Sequence, residues 1–145
     1  MGALYQQCTA GASMENDGIH VVSVDGTSFK RYMELAKSLG IKVAAIRDND
    51  RDYQANCVDS YTDHVNEQIR VFADADNDRH TFEVCIYQDN TAICDHQFLE
   101  GRRTLSVQEY MLKNKADAAF QLLDKKGGEL KVPAYIKDAV TWIRS

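Results

Sequence analysis

A chain of 145 residues, 44% hydrophobic and 27% charged, has the balance of one ordinary folded domain and needs no disulfide or metal staple to build a core. Its formal charge of −5 argues against a basic nucleic-acid coat protein, and no apolar run approaches the ~20 residues of a membrane span. Cys8, Cys57, Cys85 and Cys94 show no CxxC spacing, which argues against a structural zinc site and for reduced thiols in a cytoplasmic protein.

Residues 1–18 are polar and rich in small side chains, and read as a linker or the truncated start of an element. Ile19-His20-Val21-Val22-Ser23-Val24 is short, apolar and β-branched, which predicts a strand that Asp25-Gly26 ends with turn chemistry. Thr27 or Ser28 can cap the next helix, whose apolar positions Phe29, Tyr32, Met33, Leu35, Ala36 and Leu39 fall at helical spacing. Gly40 supplies the left-handed stop that a helix C-terminus prefers, and Lys42–Arg47 follows as a second, nearly continuous apolar strand. A strand–helix–strand unit of this length closes naturally as a right-handed parallel crossover.

Asp48-Asn49-Asp50-Arg51-Asp52 then falls at the carboxyl end of the second strand, where open parallel sheets place their ligands. Residues 53–68 read as a loop with a short helix. Ile69–Ala73 predicts a third strand, again ending in acids at Asp74, Asp76 and Asp78. Residues 81–87 alternate like a strand, yet Phe82, Cys85 and Ile86 also fit one helical face. Beyond residue 100 the pattern is helical. Ser106 caps Val107–Lys113, Asn114 caps Lys115–Lys125, and Pro133 opens a last helix with a core stripe of Tyr135, Ile136, Ala139, Val140 and Ile143. Residues 19–100 thus form an α/β core and residues 101–145 a helical part of the same domain.

Charge is unevenly spread. Residues 1–100 hold 8 Lys/Arg against 17 Asp/Glu, whereas residues 101–145 hold 9 against 5. An acidic middle followed by a basic tail suggests a cation site beside a polyanion-binding surface. Carboxylates gathered at one point cannot all stay ionised without a compensating cation, and a hard ion such as Mg²⁺ satisfies them. Asp48 and Asp50 are the leading pair, and they need a turn after Asp48 to converge. Calcium loops are rejected: counting from Asp48 and from Asp74, the sixth position is Tyr53 or Arg79 instead of glycine, and the twelfth is Asp59 or Cys85 instead of glutamate. No GxxxxGK, GxSxG or HExxH occurs, so an ATP site of the P-loop kind is absent from this chain.

Two stretches, Val21 to Tyr32 (Val-Val-Ser-Val-Asp-Gly-Thr-Ser-Phe-Lys-Arg-Tyr) and Leu39 to Asp50 (Leu-Gly-Ile-Lys-Val-Ala-Ala-Ile-Arg-Asp-Asn-Asp), resemble the TOPRIM domain of the overcoming-lysogenisation-defect (OLD) family of ATP-dependent endonucleases. Thr81-Phe82-Glu83 is similar to that family's T-L-E motif, Asn114–Ala119 to its lysine-bearing helix start, and Val132–Ile143 to its closing helix. The resemblance implies a Rossmann-like α/β fold, with a small mostly parallel sheet flanked by helices and a C-terminal helical segment. It also implies a metal-dependent DNA endonuclease, in phage defence or DNA processing. Asp48, Asp50 and Glu83 would hold one or two Mg²⁺ or Mn²⁺ ions, Glu83 and Lys115 would be catalytic, and Lys115 would neutralise charge on the phosphate.

TOPRIM domains usually begin with a strand ending in Glu-Gly, and no such pair precedes Asp17. The family's ATPase is absent too, so a C-terminal fragment or reduced homologue is expected, binding metal weakly and cutting DNA poorly by itself. Its expected partners are DNA, an ATPase domain or subunit, and a second copy in a homodimer, with no membrane. Two other readings stand beside this one: a catalytically inactive TOPRIM-fold interaction or dimerisation module, and a phospho-acceptor receiver-like domain.

Overall fold

The computed structural model describes residues 1–24 and 28–145. At its centre two short strands, β1 (Val43–Ile46) and β2 (Ile69–Phe72), run parallel with Val43 opposite Ile69 and Ile46 opposite Phe72. Side chains alternate across a pleated sheet, and here each face meets its own helix. Val43, Ala45, Ile69 and Val71 pack under Met33 and Ala36 of α2 (Phe29–Leu39), with Tyr61 closing the cluster. Ile46 and Phe72 meet Tyr135 and Ile136 of α7 (Ala134–Arg144) on the other side. The result is the expected small parallel sheet flanked by helices.

Local signals account for α2. Gly40 takes φ 65°, the left-handed stop, and the amide of Ile41 returns to the Ala36 carbonyl. The expected strand at residues 19–24 does not form. Those residues carry no regular structure, and Val21 and Val22 are exposed. A β-branched run is half of a strand; the other half is a partner edge, and none is bonded to it. The expected Asp25-Gly26 turn and the Thr27 cap lie outside the described residues.

Residues 2–8, read as part of a linker, form a helix, α1 (Gly2–Cys8), with Leu4 and Tyr5 buried. Tyr5 hydrogen-bonds Asp17, and Gln7 the Leu130 carbonyl, so tertiary contacts hold a helix too short to stand alone. After β1 the loop contains a π-helical turn at Gln54–Val58 and a 3₁₀ turn at Asp59–Tyr61.

The ambiguous stretch near residue 81 resolves as helix. Thr81 caps α3 (Phe82–Asp89) by accepting from the Val84 amide, and α4 (Thr91–Phe98) follows directly. Ser106 and Glu109 form a reciprocal capping box at the start of α5 (Val107–Lys113). Asn114 sits at the start of α6 (Lys115–Lys126), but its side chain bonds back to the Tyr110 carbonyl and caps nothing. These helices enclose a second core around Cys94, Phe98, Met111, Ala118 and Leu122. All four cysteines are free thiols. Burial pushes Cys85 up to about 12 and Cys94 up to about 11, so both stay protonated and unreactive near neutral pH.

Candidate functional site

Beyond β1 the chain enters the crevice at the carboxyl end of the sheet. Arg47 pins the turn: its Nε donates to the Asp48 carbonyl at 2.8 Å, and its Nη1 to the Asn56 carbonyl and the Tyr61 hydroxyl. Asp50 and Arg51 then take left-handed φ values of 51° and 69°, a conformation costing non-glycine residues roughly 1–2 kcal/mol each. Asn49 supports that turn from within. It is 1% exposed; its Nδ2 donates to the carbonyls of Asp74 and Asp76, and its Oδ1 accepts from the Arg51 amide, all at 2.8 Å. One side chain therefore ties together the loops that leave both strands.

Asp48 points toward α3. Its Oδ1 accepts from the Phe82 amide at 2.9 Å, which sets the carboxylate at the helix start, where unpaired amides favour an anion. Glu83 stands in that same first turn. Lys115, the first residue of α6, brings Nζ to 3.1 Å from Glu83 Oε2. That oxygen is buried and accepts no aligned hydrogen bond, so its contact with Lys115 is one of charge only. Burial raises the Asp48 carboxyl above the ordinary aspartate range, the Phe82 amide draws it back, and the negative Glu83 pushes it up again.

Asp48, Glu83 and Lys115 are thus brought together, and Asp50 is not. The Asp50 carboxylate is 61% exposed and pairs with Arg47 Nη2 at 2.6 Å. Among the described residues no three His, Cys, Asp or Glu side chains converge closely enough to form a metal cluster. A buried, unbonded carboxylate oxygen beside a second desolvated carboxylate nonetheless suits a divalent cation, which would relieve both.

Sequence reasoning missed the residues that neutralise the second acidic loop. Arg79 Nε meets Asp74 Oδ2 at 2.7 Å, and its Nη1 and Nη2 bond both oxygens of Asp89 at 3.1 and 3.0 Å. The amides of Asp76 and Asp78 bond the carboxylates two residues before them, so Asp74-x-Asp76-x-Asp78 folds as consecutive local turns. The available signal was the lone arginine inside an acidic run. His80 lies at the rim, its Nε2 3.3 Å from Arg51 Nη2.

The family model described as "Overcoming lysogenization defect protein-like, TOPRIM domain" matches residues 1–50, from α1 through β1 to Asp50. The match bears out the family resemblance over that third of the chain, and the parallel sheet with flanking helices is consistent with the TOPRIM fold. TOPRIM domains typically serve metal-dependent nucleases, primases and topoisomerases and bind divalent ions, Mg²⁺ in general. No curated protein and no solved structure matches the chain.

Proposed function

We propose that this chain is the DNA-cleaving part of an OLD-type system: a Mg²⁺- or Mn²⁺-dependent endonuclease domain working in the cytoplasm beside an ATPase domain or subunit. The observation that carries this reading is the grouping of Asp48, Glu83 and Lys115 at the start of α3, with Glu83 Oε2 buried and unbonded. Asp48 and Glu83 would hold the ion, and Asp50 would join them once its pairing with Arg47 opens. A bound ion would supply the Lewis acid that activates water and offsets charge on the leaving oxygen. Lys115, its side chain half exposed, is free to turn its Nζ from Glu83 toward a phosphate oxygen as the ion replaces it, so that one group holds charge in both states.

A second reading, a TOPRIM-fold interaction module without chemistry, is favoured by the Arg47–Asp50 pair, which keeps the second aspartate outside the group. One pair of measurements separates the two. Mn²⁺ binding followed by electron paramagnetic resonance should be abolished by Asp48→Asn and by Glu83→Gln. Nicking of supercoiled plasmid in Mn²⁺ should be slow and lost in both variants, and should fall at least tenfold in Lys115→Ala. Metal bound equally by all variants, or nicking indifferent to them, would sink the nuclease reading.

A further inference from the structure

The strand-end loops carry three arginines, and two of them are paired with acids: Arg47 with Asp50, and Arg79 with Asp74 and Asp89. Arg51 is the third. It is exposed, and among the described residues no carboxylate lies within ion-pair distance of it. Acids are not scarce there, since the same loops hold Asp52, Asp76 and Asp78. The guanidinium instead meets an imidazole, with Nη2 3.3 Å from His80 Nε2. Arginine only donates, so Nε2 is the acceptor and the ring proton sits on Nδ1, which lies 3.3 Å from the Asp78 carbonyl oxygen. His80 is thus held from behind by backbone and offers its other nitrogen to Arg51.

The backbone beneath is strained. Asp50 and Arg51 take left-handed φ values of 51° and 69°, where glycine would sit freely. A side chain retained on such a residue points to a use for that side chain.

Its place indicates the use. Asp48 Oδ1 accepts from the Phe82 amide, and the same two loops meet again where the Asp50 amide donates to the His80 carbonyl at 3.4 Å. Arg51 and His80 therefore form the outer end of a seam whose inner end is Asp48 and Glu83. Three peptide steps separate Asp48 from Arg51, at most about 11 Å between Cα atoms. Phosphates of one DNA strand recur every ~3.4 Å along the duplex axis, so a strand with one phosphate at the carboxylates brings another, within about three nucleotides, to Arg51. A lone cation in an acidic rim does not collect free anions. A phosphate held there must arrive tethered to one bound elsewhere, as successive phosphates of a nucleic-acid strand are.

We propose that Arg51 grips a non-scissile phosphate of the DNA strand at the Asp48–Glu83 site, and that His80 is the positioning residue that aims its guanidinium. The proposal deepens the nuclease reading above and rests on it. The planar fork of arginine takes two phosphate oxygens at once, and it leaves the scissile phosphate to Lys115.

The test measures metal and DNA separately on the full chain. Mn²⁺ affinity, read by electron paramagnetic resonance without DNA, checks the nuclease reading. Binding of a short fluorescein-labelled duplex, read by anisotropy over times short against nicking, checks Arg51. Arg51→Ala should raise the DNA Kd roughly five- to tenfold and reduce the slope of log Kd against log salt by about one, with Mn²⁺ affinity unchanged. Arg51→Lys should keep the salt slope and recover only part of the affinity. His80→Ala should weaken DNA binding roughly two- to fivefold at an unchanged salt slope, because the charge stays and its aim is lost. His80→Gln, whose amide oxygen can accept from the guanidinium, should restore binding. Arg51→Gly relieves the left-handed residue, so it should lose DNA as alanine does while its Tm stays at or above that of wild type. Equal Kd and salt slope in wild type and Arg51→Ala would overturn the proposal and leave the metal site standing. So would a fall in Tm of more than about 5 °C in both Arg51→Ala and Arg51→Gly, which would make Arg51 a structural residue. Wild type that takes up no Mn²⁺ yet binds DNA through Arg51 would overturn the nuclease reading and keep the phosphate contact.

Discussion

Asn49 is the residue on which the site's geometry leans most, and Asn49→Ala measures how much. The substitution deletes two bonds from Nδ2 to the Asp74 and Asp76 carbonyls and one from the Arg51 amide to Oδ1. Each such bond contributes about 1 kcal/mol net, and the side chain is 1% exposed, so water does not readily replace it. The expected loss is roughly 2–4 kcal/mol, a large share of the 5–15 kcal/mol typical of a domain. For this chain length that lowers Tm by roughly 8–16 °C, read by circular dichroism and checked by urea unfolding. Asn49→Asp is the sharper control. It keeps an acceptor for the Arg51 amide but turns a carboxylate toward two carbonyl oxygens, so it should be at least as damaging as alanine near neutral pH and should recover as the pH falls. A loss below about 0.5 kcal/mol in Asn49→Ala would refute the claim that this amide holds the strand-end loops together.

Arg79→Ala strands the carboxylates of Asp74 and Asp89, both largely buried; a loss of about 3 kcal/mol near neutral pH is expected by urea titration, shrinking as acid protonates them. Arg79→Lys, which cannot fork across both partners, should recover only part of it. Asp48 gives the pH test. Burial raises its pKa in the fold, so the native state binds its proton more tightly than the unfolded chain does. The resulting stability is full below the ordinary aspartate value and is lost as pH rises through the raised one. Without metal, Asp48→Asn should therefore be more stable than wild type at neutral pH and should lose that part of the pH dependence. Mg²⁺ at a hundredfold over its Kd should stabilise wild type by about 2.7 kcal/mol, less as the pH falls and the proton competes, and should leave Asp48→Asn unmoved; equal Mg²⁺ shifts in both proteins would contradict the assignment of Asp48 as a ligand.

What was legible in the sequence is what local chemistry decides. α2 announces itself by apolar spacing and by Gly40, whose left-handed φ of 65° terminates it. The Ser106 cap is read from the sequence and is present in the fold, where Glu109 completes it as a capping box. Residues 19–24 show the limit. Their composition is that of a strand, but a strand is completed by an edge elsewhere, and the available edge, that of β1, faces them across an open groove. α1 fails the other way: nothing local marks it, and it exists because Leu4 joins a core with Val132, Tyr135 and Ile136 near the end of the chain, while the buried Tyr5 bonds Asp17.

The same division runs through the site. A pair of aspartates at a strand end is visible in one dimension, and so is the turn that must follow Asp48. Which way each carboxylate faces is not, because that depends on Arg47 drawing Asp50 outward and on the Phe82 amide drawing Asp48 inward from 34 residues away. Charge counting misleads for the same reason. The stretch 48–100 holds 13 acids and 3 bases, which suggests a strongly anionic surface. Yet Arg79 alone neutralises two of those acids, Arg47 a third, and Lys115 reaches in from the basic tail to a fourth, Glu83. The carboxylate that remains both desolvated and without a basic partner in an ion pair is Asp48. A cation placed between it and Glu83 would release Lys115, and the net charge of −5 would then understate how positive the surface facing a phosphate becomes.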